Sequence, residues 1–133
     1  MRVTTHVTGP APVTLAWERY ADPTLWSAWA PQIRSVETDG PGPQRIHVGM
    51  RGTVHALLGV SVRFEVTEVD EARRRWAWLV RLPLLTLRLE HTVEAWRATG
   101  TRTGLVVEGP APVVLAYVPV ARLALHRLVA AQV

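Results

Sequence analysis

Between Arg51 and Glu108 the chain offers five consecutive runs rich in β-branched and large apolar residues, parted only by Gly59-Val60, Asp70-Glu71-Ala72, Pro83 and Gly100-Thr101. Links this short join antiparallel neighbours, since they leave no room for a crossover. The pattern therefore predicts a meander with strands over 51–58, 61–69, 75–82, 84–99 and 102–108.

What flanks the meander narrows the architecture further. Arg2 to Thr8 alternates Val3, Thr5 and Val7 with Thr4, His6 and Thr8, which suits a first strand ended by Gly9-Pro10. The period then changes, with Val13, Ala16, Trp17 and Tyr20 forming one helical stripe and Glu18 and Arg19 outside it. Asp22-Pro23 has the form of an N-cap followed by proline at the first helical position, and it opens a second short helix carrying Trp26 and Trp29, closed by Pro31. Ile33 to Thr38 reads as a short strand before the turn-rich Asp39-Gly40-Pro41-Gly42-Pro43. After Gly109-Pro110-Ala111-Pro112 comes an apolar helix, predicted to kink or restart at Pro119. A long helix at the end of such a sheet buries itself by lying across the concave face. The expected fold is α+β, a curved seven-stranded antiparallel sheet around the C-terminal helix with two short helices after strand one, as a single domain over 1–133.

Composition removes several functional classes. The 133 residues contain no cysteine, which excludes thiol nucleophiles, Cys-ligated zinc and iron–sulfur clusters. The net charge is +4, and all 15 cations are arginine because the chain has no lysine. Asparagine is absent too, so this is a bias of the coding sequence as much as a chemical signal. The one cationic run, Arg73-Arg74-Arg75, is balanced by Glu68, Asp70 and Glu71. A phosphate-binding stripe needs uncompensated cations, so no nucleic-acid partner is expected. The start of the chain lacks a signal-peptide pattern, which makes a cytoplasmic location the expectation. Val113 to Val133 is broken by Pro119, Arg122, His126 and Arg127 and reads as a buried helix, not a membrane span.

Strand parity selects the interior side chains. Leu85, Leu87, Leu89, His91 and Val93 share one face of the longest strand, opposite Thr86, Arg88, Glu90, Thr92 and Glu94. Trp76, Trp78 and Val80 share a face, as do Val62, Phe64 and Val66. These side chains wall either a filled core or an apolar pocket. His91 is the one candidate for catalysis, since a buried imidazole can serve as a general base or orient a ligand carbonyl. The alternative is a core histidine satisfied by a hydrogen bond. Parity leaves the direction of His55 undecided. Tyr117 either points a phenol into a pocket or merely packs. The histidines form no H-x-H or H-E-x-x-H pattern, no serine sits in a G-x-S-x-G elbow, and neither a metal nor a cofactor is expected.

Several short segments, taken in order, resemble the START-like helix-grip superfamily, specifically its polyketide cyclase/dehydrase and lipid-transport group. They are Ala11-Pro12-Val13 with Ala16-Trp17, then Asp22-Pro23 and Trp26-Ser27-Ala28-Trp29-Ala30-Pro31, then Val66 to Asp70 with Arg73 to Trp78, and finally His91-Thr92-Val93-Glu94, Gly100 to Thr103 and Glu108-Gly109. The resemblance spans nearly the whole chain. It implies a sheet wrapped round the last helix and a cavity for an apolar or polycyclic small molecule, without implying catalysis.

Three functions are consistent with this. The first is binding or carriage of a hydrophobic ligand, with Phe64, Trp78, Leu87, Leu89, His91, Tyr117, Trp26 and Trp29 as the ligand-binding candidates. The second is a cyclase, aromatase or dehydratase with His91 as base, for which the sequence supplies no evident oxyanion donors. The third is a filled-core scaffold acting through a homodimer surface.

Overall fold

The computed structural model describes residues 1–132. Seven strands, β1 (Arg2–Gly9), β2 (Ile33–Thr38), β3 (Arg51–Ala56), β4 (Ser61–Asp70), β5 (Arg75–Leu82), β6 (Leu85–Trp96) and β7 (Gly100–Glu108), form one antiparallel sheet in the order β1-β7-β6-β5-β4-β3-β2. Between β1 and β2 lie α1 (Val13–Ala21), a 3-10 turn at Pro23–Leu25 and α2 (Trp26–Trp29), and α3 (Ala111–Leu128) ends the fold. This is the helix-grip arrangement expected from the element order.

The strand ends shift where the backbone turns left-handed. Arg97 has φ 57°, so the longest strand stops at Trp96, and Gly100 and Thr101 belong to β7, where Gly100 pairs with Trp96. The strand predicted to reach Leu58 stops at Ala56, because Leu57–Gly59 forms a 3-10 turn with Leu58 at φ 63°. Pro119 neither ends nor restarts α3. The carbonyl it frees is that of Leu115, an exposed residue that water can serve.

Asp22 caps the short helical segment as its sequence suggests, its Oδ1 accepting from the Thr24 amide at 3.0 Å. In α1, Ala16, Trp17 and Tyr20 are buried as the stripe requires, but Arg19 is buried too, which corrects the expectation that it lies outside. Its guanidinium donates at 2.7 Å to the carbonyls of Leu128 and Ala130, where the end of α3 lacks intrahelical partners. Burial lowers its pKa. The arginine stem covers apolar surface while its head seals the last turn of α3.

On the outer face of the sheet the cations meet carboxylates. Arg75 and Arg88 flank Glu90, Arg81 and Arg51 flank Glu65, and Arg102 faces Glu94. His55 also points outward, its Nδ1 2.9 Å from the Ser61 hydroxyl and its Nε2 3.4 Å from Glu37.

Gly52 shows how tightly the sheet's edge is packed. A Cβ there would collide with the Glu37 carbonyl oxygen and sit 2.8 Å from the Phe64 ring. Gly52→Ala should therefore lower stability by about 1–3 kcal/mol through overpacking, seen as a reduced urea midpoint. An unchanged midpoint would show that β2 and β3 can separate without cost.

Candidate functional site

The sheet, α2 and the first half of α3 leave a cavity of about 240 Å³ between them. That exceeds the ~150 Å³ at which an apolar cavity holds benzene. The floor is made by inward residues of β5 and β6, among them Trp76, Trp78, Leu87, Leu89 and His91, while Trp26 and Trp29 close one side and Tyr117 and Val113 of α3 lie across the top. No charged side chain lines it. Of the eight ligand-binding candidates, seven stand in this wall.

Phe64 is the exception and corrects the candidate set. It is 2% exposed and on the inner face, yet its ring lies behind the wall, 5.6 Å from both Trp26 and Trp78 between ring centroids. The space left by Gly52 on the neighbouring strand draws it there. Trp76 and Gln32 belong to the wall although neither was a candidate. Trp76 was readable from parity, since it shares the face of Trp78. Gln32 carried no signal, because it lies in the link between α2 and β2.

The aromatic residues form a stack, not a loose lining. Trp76 lies between Trp26, at 5.6 Å and 28°, and His91, at 4.8 Å and 15°. Tyr20 meets Trp29 and Trp76 edge-on. Such contacts add about 0.5–1.5 kcal/mol each beyond area burial and fix the orientation of every ring.

His91 occupies the centre of this cluster, and its hydrogen bonds leave it no freedom. Trp78 Nε1 can only donate, and it does so to His91 Nε2 at 3.0 Å, so that nitrogen must be the unprotonated one. His91 Nδ1 then carries the proton and donates to the Tyr20 hydroxyl at 3.0 Å. Tyr20 donates to Thr103 Oγ1 at 3.2 Å, and Thr103 donates to the Thr92 carbonyl at 2.8 Å. The chain runs one way from indole to backbone, with every donor used. Burial lowers the His91 pKa to about 3 and raises that of Tyr20. A protonated His91 would set an Nε2 proton against the Trp78 proton. The residue is neutral at physiological pH, and its only lone pair is already occupied.

Tyr117 reaches the cavity from α3, its phenol pushed above the ordinary range by burial while the Gln32 amide beside it pulls the other way. Among the described residues no group of three histidine, aspartate or glutamate side chains is placed to hold a metal.

The model of the family described as polyketide cyclase / dehydrase and lipid transport matches residues 1–133. The chain belongs to this family. None of the curated proteins matches it. Among solved structures, this member of the polyketide cyclase/dehydrase and lipid-transport family is similar to a protein from Nitrosospira multiformis, with TM-score 0.78 and 20% identity over 97% of this chain and 94% of the other. Ara h 8.0201 matches with TM-score 0.74 and 15% identity over 96% and 94% of the two chains. The di-domain ARO/CYC BexL of the BE-7585A biosynthetic pathway matches with TM-score 0.76 and 18% identity, over 96% of this chain but 45% of that one. At these identities the likeness establishes a shared helix-grip fold. The family covers ligand binding and cyclisation alike, so the choice between them rests on the cavity.

Proposed function

We propose that the protein binds a hydrophobic or polycyclic small molecule in the cavity between the sheet and α3, as a carrier or receptor. The observation that carries this reading is the state of His91. A cyclase or dehydratase needs a base to remove a proton α to a carbonyl, and the one imidazole in the wall has its lone pair held by Trp78 and its proton held by Tyr20. A carrier needs only shape, apolar surface and a few polar groups, all of which the wall supplies. The likeness to an ARO/CYC protein keeps the enzymatic reading as the alternative, with Tyr117 and Gln32 as the other polar side chains of the wall. The room inside weighs against the filled-core scaffold.

The test uses N-phenyl-1-naphthylamine, a neutral apolar fluorophore. It should bind one to one and quench emission from the tryptophans of the wall. Leu89 is 1% exposed and faces the cavity. Leu89→Trp should fill that space and weaken binding by at least about tenfold, while thermal unfolding shows that the fold survives an overpacking cost of about 1–3 kcal/mol. Saturable binding that survives the substitution would place the ligand elsewhere. Absence of binding across a panel of apolar fluorophores would restore the filled-core scaffold.

A further inference from the structure

Leu57, Leu58, Val60 and Leu84 stand exposed at one end of the sheet. Ile33 pairs with Ala56, Val54 with Val62, Arg63 with Arg81, Leu82 with Leu85 and Arg88 with Glu108, so the start of β2, the β3–β4 and β5–β6 links and the start of α3 all meet there. Leu58 is 98% exposed and Leu84 fully so, and their backbones are left-handed, at φ 63° and 141°. Glycine takes such a conformation freely, whereas a leucine there is unfavourable both in its backbone and in its contact with water. Leu115 continues the exposed apolar surface along the outer side of α3.

The cavity opens at this same end. Its wall runs from buried Trp76, Leu87 and Leu89 out to Val60, which is 50% exposed. The charges around the opening are of one sign. Segments 30–34, 55–63, 80–88 and 109–132 contain none of the chain's 11 carboxylates and six of its arginines. Arg63, Arg81 and Arg88 reach Asp39, Glu65 and Glu90 on neighbouring segments. Arg34 is exposed beside Gly59 and Val60 and meets no carboxylate among the described residues, while Arg122 and Arg127 on α3 bond only to neutral acceptors in Thr5, His6 and Ala28.

From this arrangement we infer that the cavity mouth docks on an anionic lipid bilayer, with Leu58 and Leu84 entering the headgroup region and Arg34 held at its surface. Apolar side chains on two separate convex tips ask a protein partner for matching pits, whereas a bilayer yields to them. A second copy of the chain would bring the same uncompensated arginines towards each other, but anionic headgroups neutralise them. Docking goes beyond cavity binding and does not depend on it, since neither Leu58 nor Leu84 lines the cavity.

The experiment is co-sedimentation with sucrose-loaded vesicles, made either of phosphatidylcholine alone or of phosphatidylcholine and phosphatidylglycerol in equal parts. The wild type should partition into the anionic vesicles about tenfold more strongly than into the neutral ones, and high salt should weaken this. Leu58→Gly combined with Leu84→Gly should lower partitioning at least about fivefold, with no loss of thermal stability because glycine relieves the backbone. Arg34→Gln should lower it about fivefold on anionic vesicles and leave the neutral ones unaffected. Without vesicles, both variants should bind N-phenyl-1-naphthylamine within about twofold of the wild type, a difference of less than half a typical hydrogen bond. No sedimentation with either vesicle, equal partitioning into both, or partitioning that survives the leucine and the arginine changes would overturn docking. So would a vesicle-free wild-type dimer that the two leucine changes dissociate, which would assign the tips to a second copy. Loss of fluorophore binding by the wild type would instead overturn the cavity reading and leave docking standing.

Discussion

Replacing Arg19 by Met is expected to lower the stability of the protein by about 2–4 kcal/mol. The side chain makes two 2.7 Å bonds to the carbonyls of Leu128 and Ala130, and charge-assisted bonds of this kind contribute about 1.5–3 kcal/mol each. Methionine keeps the apolar stem and removes the desolvation of the guanidinium, which offsets part of the loss. What remains is a helix end with orphaned carbonyls and a loosened join between α1 and α3. Urea unfolding at neutral pH measures it. Arg19→Lys should recover only part of it: both bonds leave a single guanidinium nitrogen, and the more strongly hydrated ammonium of lysine costs more to bury. A loss below about 0.5 kcal/mol in Arg19→Met would show that water replaces the arginine freely.

The second large effect concerns acid. His91 has its pKa lowered by burial from 6.5 to about 3, so the unfolded chain takes up a proton in this interval that the folded chain refuses. Stability contributed by this group is thus intact above pH 6.5 and is lost as pH falls towards 3, at up to ~1.4 kcal/mol per unit. His91→Phe abolishes that slope. At pH 7 the variant should be the less stable, since the Trp78 proton and the Tyr20 hydroxyl lose a partner. Between pH 6 and pH 4 the deficit should shrink by about 2–3 kcal/mol, because the wild type alone continues to lose His91-linked stability. The other ionisable groups are common to both proteins and cancel in the difference. Urea unfolding at pH 7, 6, 5 and 4 gives the two curves, and parallel curves would show that His91 is solvated and titrates normally in the folded state.

The sheet was legible because its information is local. Alternation in Leu85 to Val93 places His91 with the leucines, and the short links fix the neighbours from β3 to β7, so that much of the order and the inner face follow without knowledge of distant contacts, whereas the place of β1 beside β7 does not. The strand ends were less so, because Leu58 and Arg97 adopt left-handed backbone that their side chains do not advertise. Arg19 was misplaced since a charged residue at the margin of an apolar stripe is ordinarily solvated, and its true partners lie more than a hundred residues along the chain. The same distance hid the meaning of His91. Parity buries it, but only the packing of α1 against β6 brings Tyr20 to its Nδ1, and only that bond, with the one from Trp78, shows that the imidazole is fully engaged. Phe64 was assigned to the ligand wall because parity reports a face and says nothing about depth within it.

The order β1-β7-β6-β5-β4-β3-β2 also sets a sequence of events during synthesis. Strands β2 to β6 each pair with a neighbour in the chain and can assemble as they leave the ribosome. β1, made first, has its partner in β7, from Arg2 opposite Glu108 to Gly9 opposite Thr101, so it must wait while a loop on the order of a hundred residues is completed. α1 waits longer, for its arginine finds its acceptors at the far end of α3. Val113 and Tyr117 arrive on that same last helix. The nascent chain therefore has no enclosed cavity, and the pocket closes only when α3 docks.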